Sequence, residues 1–218
     1  MDEKSRSTEL VQLGDRARQQ LEATHRAREE ALSRCREAIR ASGLAIRSVH
    51  RLDPQSVSEH LAEAETALRK GQDALRPFPS LAAAGFLHDA EKEYAEARLT
   101  IALVNQDDIP RFESLEVGLA AWLNGLAEAA SELRRHLLDR LRRGEMERSQ
   151  ELLAAMEDVY DLLVSIEYPD AITGGLRRAT DALRAVLERS RSDVTASVLQ
   201  DSLKQSIERS LGQASNRQ

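Results

Sequence analysis

Proline stands at only five positions in this 218-residue chain, 54, 77, 79, 110 and 169. Its ring removes a backbone N–H and clashes with the carbonyl four residues back, so these positions bound where long helices can lie. Aromatic residues make up 3% of the chain and glycine 10 positions, against 41% hydrophobic and 31% charged residues. That balance suits long helices with one apolar face and starves a sheet of the aromatic side chains it packs with. An all-α fold is expected, and at this length one core, hence a single domain over 1–218.

The punctuation predicts seven helices. The first runs from about Ser7 to His50, with Ser42-Gly43 as the place where it would break. Asp53 caps the second, with Pro54 at its first position, where a missing N–H costs little; Val57, Leu61, Ala64, Leu68 and Leu75 form its buried stripe. Pro77-Phe78-Pro79-Ser80 turns into a third helix, about Leu81 to Val104, whose apolar positions Phe86, Ala90, Tyr94, Ala97, Ile101 and Val104 share one sector. The fourth spans about Leu115 to Arg143 and is stopped by Gly144. The fifth covers about Glu147 to Ile166, the sixth opens at Tyr168-Pro169-Asp170 and reaches Arg191, and Ser192-Asp193 caps a seventh. Residues 1–6 and 212–218 are expected to fray. No element repeats at a fixed period, which argues against a solenoid.

The longest apolar run, Leu81 to Leu87, is far too short to cross a bilayer, and the amino terminus is polar with no apolar segment behind it. A cytoplasmic protein is expected, with no membrane partner. The single cysteine, Cys35, has no second cysteine with which to form a disulfide or share a zinc, and fits a small core position in a reducing compartment.

A formal net charge of −6 argues against indiscriminate attraction to polyanions, but the charges are segregated. Arg26, Arg28, Arg34, Arg36, Arg40, Arg47 and Arg51 face only Glu29, Glu30 and Glu37 between residues 26 and 51. A second basic segment, Arg177, Arg178, Arg184, Arg189 and Arg191, is opposed by Asp181 and Glu188. Of the 31 basic residues only Lys4, Lys70, Lys92 and Lys204 are lysine, and guanidinium suits bidentate phosphate contacts better than ammonium does. Two readings stand: phosphate-binding faces, or solvated helix faces paired at i, i+4.

Residues 86 to 96 are acidic, with Asp89, Glu93 and Glu96 at i, i+4 and i+7 on one strip. Glu128 and Glu132 form a second i, i+4 pair on the next helix. Carboxylates clustered without Cys or His are hard oxygen ligands that favour Mg²⁺ or Mn²⁺ over zinc, although most carboxylates on helices are simply solvated surface. A ferritin-like di-iron site needs two Glu-x-x-His motifs, and only Glu22-Ala23-Thr24-His25 exists. His50, His60, His88 and His136 lack zinc-ligand spacing, no nucleophile motif supports a triad, and no glycine-rich loop is present to cradle a nucleotide phosphate.

Beyond these patterns, Tyr168-Pro169-Asp170-Ala171-Ile172, Gly175-Leu176-Arg177-Arg178, Thr180-Asp181 and Glu188-Arg189-Ser190-Arg191-Ser192-Asp193 resemble the carboxy-terminal signature of the translin family in its archaeal form. The stretch Phe86-Leu87-His88-Asp89-Ala90-Glu91-Lys92-Glu93-Tyr94-Ala95-Glu96-Ala97 is similar to the helix carrying Glu-Tyr-x-Glu-Ala in the catalytic branch, translin-associated factor X. Gly125 to Arg135 resembles that branch's Gly-x-Ala-Asp-x-x-Gly-Glu-Leu segment, and Ser33-Arg34-Cys35-Arg36 and Ala45 to Arg51 also fit. The resemblance extends from about Arg26 to Thr195.

It implies a translin-type helical bundle that assembles into a hollow homo-oligomer and binds RNA, and also single-stranded DNA, inside the shell. The catalytic branch is a Mg²⁺-dependent endoribonuclease. By position, the resemblance gives the catalytic and metal-binding carboxylate role to Glu93, Glu96 and Glu128, with Glu132 as a fourth catalytic member. Arg34, Arg36, Arg40, Arg47 and Arg51 are expected to line the nucleic-acid path, with Arg177 and Arg178 next. Glu128 stands where the family has Asp, one methylene shorter, and Ser131 stands where it has Gly. The alternative is a noncatalytic RNA- or single-stranded DNA-binding oligomer that has lost the chemistry through Glu128.

Overall fold

The computed structural model of the chain describes residues 3–83 and 85–215. All secondary structure among them is helical, as expected: six long helices, α1 (Glu3–His50), α2 (Pro54–Leu75), α4 (Phe86–Asn105), α6 (Leu119–Arg142), α7 (Met146–Val164) and α9 (Leu176–Ser215), and three single turns, α3 (Pro79–Ala82), α5 (Phe112–Leu115) and α8 (Asp170–Thr173). The ends expected to fray fall partly outside the described residues, and within them helix extends to Glu3 and Ser215. No described helix is long and apolar enough to cross a membrane.

The long helices form three layers. The α1–α2 hairpin packs on α4, α4 packs on α6, and α7 and α9 cover the far side of α6. The two central helices are therefore buried on more than one flank. Tyr94, Leu99, Leu126, Leu133 and Leu137 are almost wholly inaccessible, and Cys35 is buried with Ala38, Ala41 and Ala64 in the same core. The small side chains on these faces allow close helix approach.

Several boundaries differ from the sequence expectation, each for a local reason. Asp53 does cap α2, accepting from the Ser56 amide at 3.2 Å. The first helix does not break at Ser42-Gly43: a glycine there costs about 1 kcal/mol of helix propensity, and burial of Ala38, Ala41, Ser42, Ala45 and Ile46 outweighs it. The third helix begins only at Phe86, because Gly85 adopts φ +88°. The fourth begins at Leu119. Before it, Glu116 is left-handed (φ +49°), and Arg69 Nη2 donates to the Leu115 carbonyl at 2.7 Å while Gln72 Nε2 donates to that of Glu116 at 2.9 Å, so tertiary bonds take acceptors a helix would have used.

The expected sixth helix is interrupted after α8 by Gly174 and Gly175, both at positive φ. It then merges with the seventh. Ser190 accepts from Arg134 Nη1 at 3.1 Å and Asp193 from Arg134 Nη2 at 2.7 Å, so the Asp193 oxygen that would cap a new helix is used across the interface. Leu187 and Val194 continue one buried stripe through the junction.

Candidate functional site

The crossing of α4 and α6 is set by a glycine. A Cβ placed on Gly125 would lie 2.8 Å from the Lys92 carbonyl oxygen, 2.9 Å from the Glu96 amide nitrogen and 3.1 Å from the Ala95 Cβ. Only glycine lets the α6 backbone approach that of α4 this closely. Three residues further along α6, Glu128 meets Glu93 and Glu96 of α4. One carboxylate oxygen from each of the three lies within 4.8 Å of the others.

Glu96 is 7% exposed. Its burial, followed by the charges of Glu128 and Glu93, pushes its carboxyl pKa up to about 9. Three carboxylates held this close, one of them buried, repel one another when all are ionised, so Glu96 keeps its proton until a positive charge displaces it. Such a group can hold a metal ion, and its all-oxygen donor set suits a hard divalent cation.

One positive charge is already there. Lys92 Nζ donates to both Glu128 oxygens, at 2.8 and 2.9 Å, and lies 3.3 Å from Glu93 Oε1. Burial lowers the ammonium's pKa, but the bonds and charge of Glu128, and the charge of Glu93, more than offset this, so the pKa is raised and Lys92 stays charged.

Glu132, one turn beyond Glu128, turns toward α1 and pairs with His50 Nε2 at 2.9 Å. That bond lowers its pKa, while its charge still contributes to raising that of Glu96. The His50 ring stacks on His136, centroids 4.6 Å apart. Burial, then the His50 and Arg140 charges, lowers the His136 pKa to about 4. Asp89, the first member of the sequence strip, is exposed and outside the cluster.

The arginines divide by face. Arg36, Arg40 and Arg47 are exposed and fall within roughly 40° of one another at 100° per residue. Arg51 is exposed just past the end of α1. Arg40 pairs with Glu63 at 3.2 Å. Arg34 points elsewhere: it is half-buried and paired with Glu37 at 2.9 Å. Arg177 and Arg178 are exposed in the first turn of α9, with Arg177 on a cleft of about 530 Å³ it shares with Tyr160, Tyr168 and Thr180.

Lys92, His50 and the crossing role of Gly125 were not singled out from sequence. Lys92 carried a signal, since it stands four residues before Glu96 on the same helix. The His50–Glu132 pair carried none, because it joins positions 82 apart in the chain.

A helical bundle whose central pair of helices brings three carboxylates and one lysine together defines the class. No family model matches the chain. It is 28% identical over 185 residues, 84% of its length and 81% of the relative's, to an uncharacterized protein of Methanocaldococcus jannaschii. The solved structure of an AfC3PO–duplex RNA complex is similar at a TM-score of 0.78 and 33% identity, over 85% of this chain and 96% of that one. The crystal structure of apo-NeC3PO shares the fold, with a TM-score of 0.76 and 21% identity over 84% of this chain and 96% of the other. The chain belongs to the C3PO/translin family.

Proposed function

We infer that this protein is an RNA-binding, metal-dependent endoribonuclease of the translin-associated factor X type, acting in the cytoplasm as a homo-oligomer on RNA. Single-stranded DNA is a further ligand. The observation that carries the reading is the meeting of Glu93, Glu96 and Glu128 within 4.8 Å, with Glu96 buried. The solved AfC3PO complex with duplex RNA supports RNA as the partner.

Glu93 and Glu96 from α4 and Glu128 from α6 are the residues that would hold Mg²⁺ or Mn²⁺, which supplies a Lewis acid for the phosphoryl oxygen and an acidified water. Glu132, anchored by His50, adds negative charge beside the cluster and is the fourth catalytic carboxylate. Arg36, Arg40, Arg47 and Arg51 hold phosphates along α1, with Arg34, Arg177 and Arg178 contributing from neighbouring faces. With few aromatic side chains available for stacking, contacts to phosphate and 2′-hydroxyl dominate and sequence preference is weak. Assembly is supported by the outer ends of the two longest helices, where Leu10, Val11, Leu13 and Leu21 on α1 and Leu199, Leu203 and Ile207 on α9 are exposed.

A noncatalytic RNA-binding oligomer is the second reading, favoured by the Lys92 ammonium seated on both oxygens of Glu128. Incubation of labelled single-stranded RNA with and without Mg²⁺ separates the two. Cleavage that needs Mg²⁺ and is lost in Glu93→Gln and Glu96→Gln, with RNA binding and particle size kept, is the expected result. Binding without cleavage by the wild-type chain decides for the second reading, and a monomer that binds no RNA overturns both.

A further inference from the structure

We propose that Lys92 is a resident cation of the carboxylate cluster, sharing Glu128 with the ion that Glu93 and Glu96 hold, so that each chain takes up one divalent ion rather than two. The inference rests on the reading of the cluster as a divalent-ion site.

Three features carry it. Both Glu128 oxygens are bonded to the Lys92 ammonium, and Glu93 Oε1 is 3.3 Å from it. This contact is built into the helix crossing, because the backbone point of α4 against which Gly125 packs is the Lys92 carbonyl itself. The crossing holds the backbone of Lys92 in place, and its four-carbon stem is largely enclosed, which limits where the ammonium can go. The charges also balance. Once an incoming ion displaces the proton of the buried Glu96, three carboxylates carry three negative charges, which one ammonium and one divalent ion neutralise, whereas a second divalent ion beside the ammonium would leave an excess of two positive charges. The arrangement accounts for the length of Glu128, since its extra methylene relative to Asp gives it the reach to bridge to Lys92.

Titration of the full chain with Mn²⁺, following the electron paramagnetic resonance signal of the free ion, tests this without reference to cleavage. The wild-type chain is expected to bind one Mn²⁺. Lys92→Met keeps the stem and removes the charge, which cuts the excess left by a second ion from two positive charges to one, beside the negative Glu132; it should bind two, the first of them roughly tenfold tighter because a neighbouring positive charge is gone. Lys92→Arg should stay at one. Lys92→Gln serves in place of Lys92→Met should circular dichroism show the latter misfolded. Two Mn²⁺ on the wild-type chain, or one on Lys92→Met and Lys92→Gln at unchanged affinity, overturns the role of Lys92 and leaves the metal site standing. Absence of Mn²⁺ binding at millimolar concentration in wild type and variants alike overturns the site as well.

Discussion

Replacing Gly125 by Ala adds one methyl group where, of the described glycines, a Cβ would meet its nearest neighbours. Its carbon would sit 2.8 Å from the Lys92 carbonyl oxygen and 2.9 Å from the Glu96 nitrogen, well inside the ~3.5 Å at which such atoms pack comfortably. Both of these neighbours are backbone atoms of α4, so no side chain can step aside and the two helices must separate by roughly half an ångström or more. Overpacking of this kind costs about 1–3 kcal/mol. At this chain length each kcal/mol lowers the melting temperature by about 2–4 °C. Gly43→Ala supplies the control: nothing but the Arg47 guanidinium, at 3.8 Å, lies near its Cβ. The same chemical change there should stabilise α1 by about 0.5–1 kcal/mol through helix propensity. Thermal unfolding followed at 222 nm, with Mn²⁺ affinity measured in parallel, reads both. Gly125→Ala should melt lower and bind Mn²⁺ more weakly, while Gly43→Ala melts at or above wild type. A Gly125→Ala protein with the wild-type melting temperature and affinity would refute the close crossing as the device that brings Glu128 to α4.

Three further outcomes are expected. Because the folded-state pKa of Glu96 is raised to about 9, the metal-free protein should lose stability as pH rises from the ordinary carboxylate range through 9. Glu96→Gln should flatten that slope in denaturant titrations with EDTA, and an unchanged slope would count against the buried cluster. The His136 pKa is lowered to about 4, so the unfolded chain takes up a proton first as pH falls below about 6.5. That stability is lost between about pH 6.5 and 4, and His136→Gln should reduce the acid sensitivity seen in the same titrations. Arg47→Ala and Arg51→Ala, at exposed positions that form no ion pair among the described residues, should each reduce the salt dependence of RNA binding by about one counterion. Arg34→Ala, whose guanidinium is half-buried and paired with Glu37, should change it less; equal effects in filter-binding assays would argue against the α1 stripe as the phosphate path.

The helical class, the cap at Asp53, the stop at Gly144 and the presence of Glu93 and Glu96 on one side of one helix are all local properties, set by residues within a few positions of each other. They were legible for that reason. The resemblance carried Glu128 to the same site as an expectation, but its meeting with α4 depends on how closely two helices cross, which rests on the contact between Gly125 and a backbone segment 33 residues upstream of it. The merger of the last two helices, the turn at Glu116 and the pairing of His50 with Glu132 arose likewise from atoms distant in the chain competing for donors and acceptors that local rules would have assigned to a cap or a helix. Lys92 shows the difference most clearly. In the sequence it is the one base in an acidic run; only the crossing of α4 and α6 turns it into a charge enclosed by carboxylates from both helices.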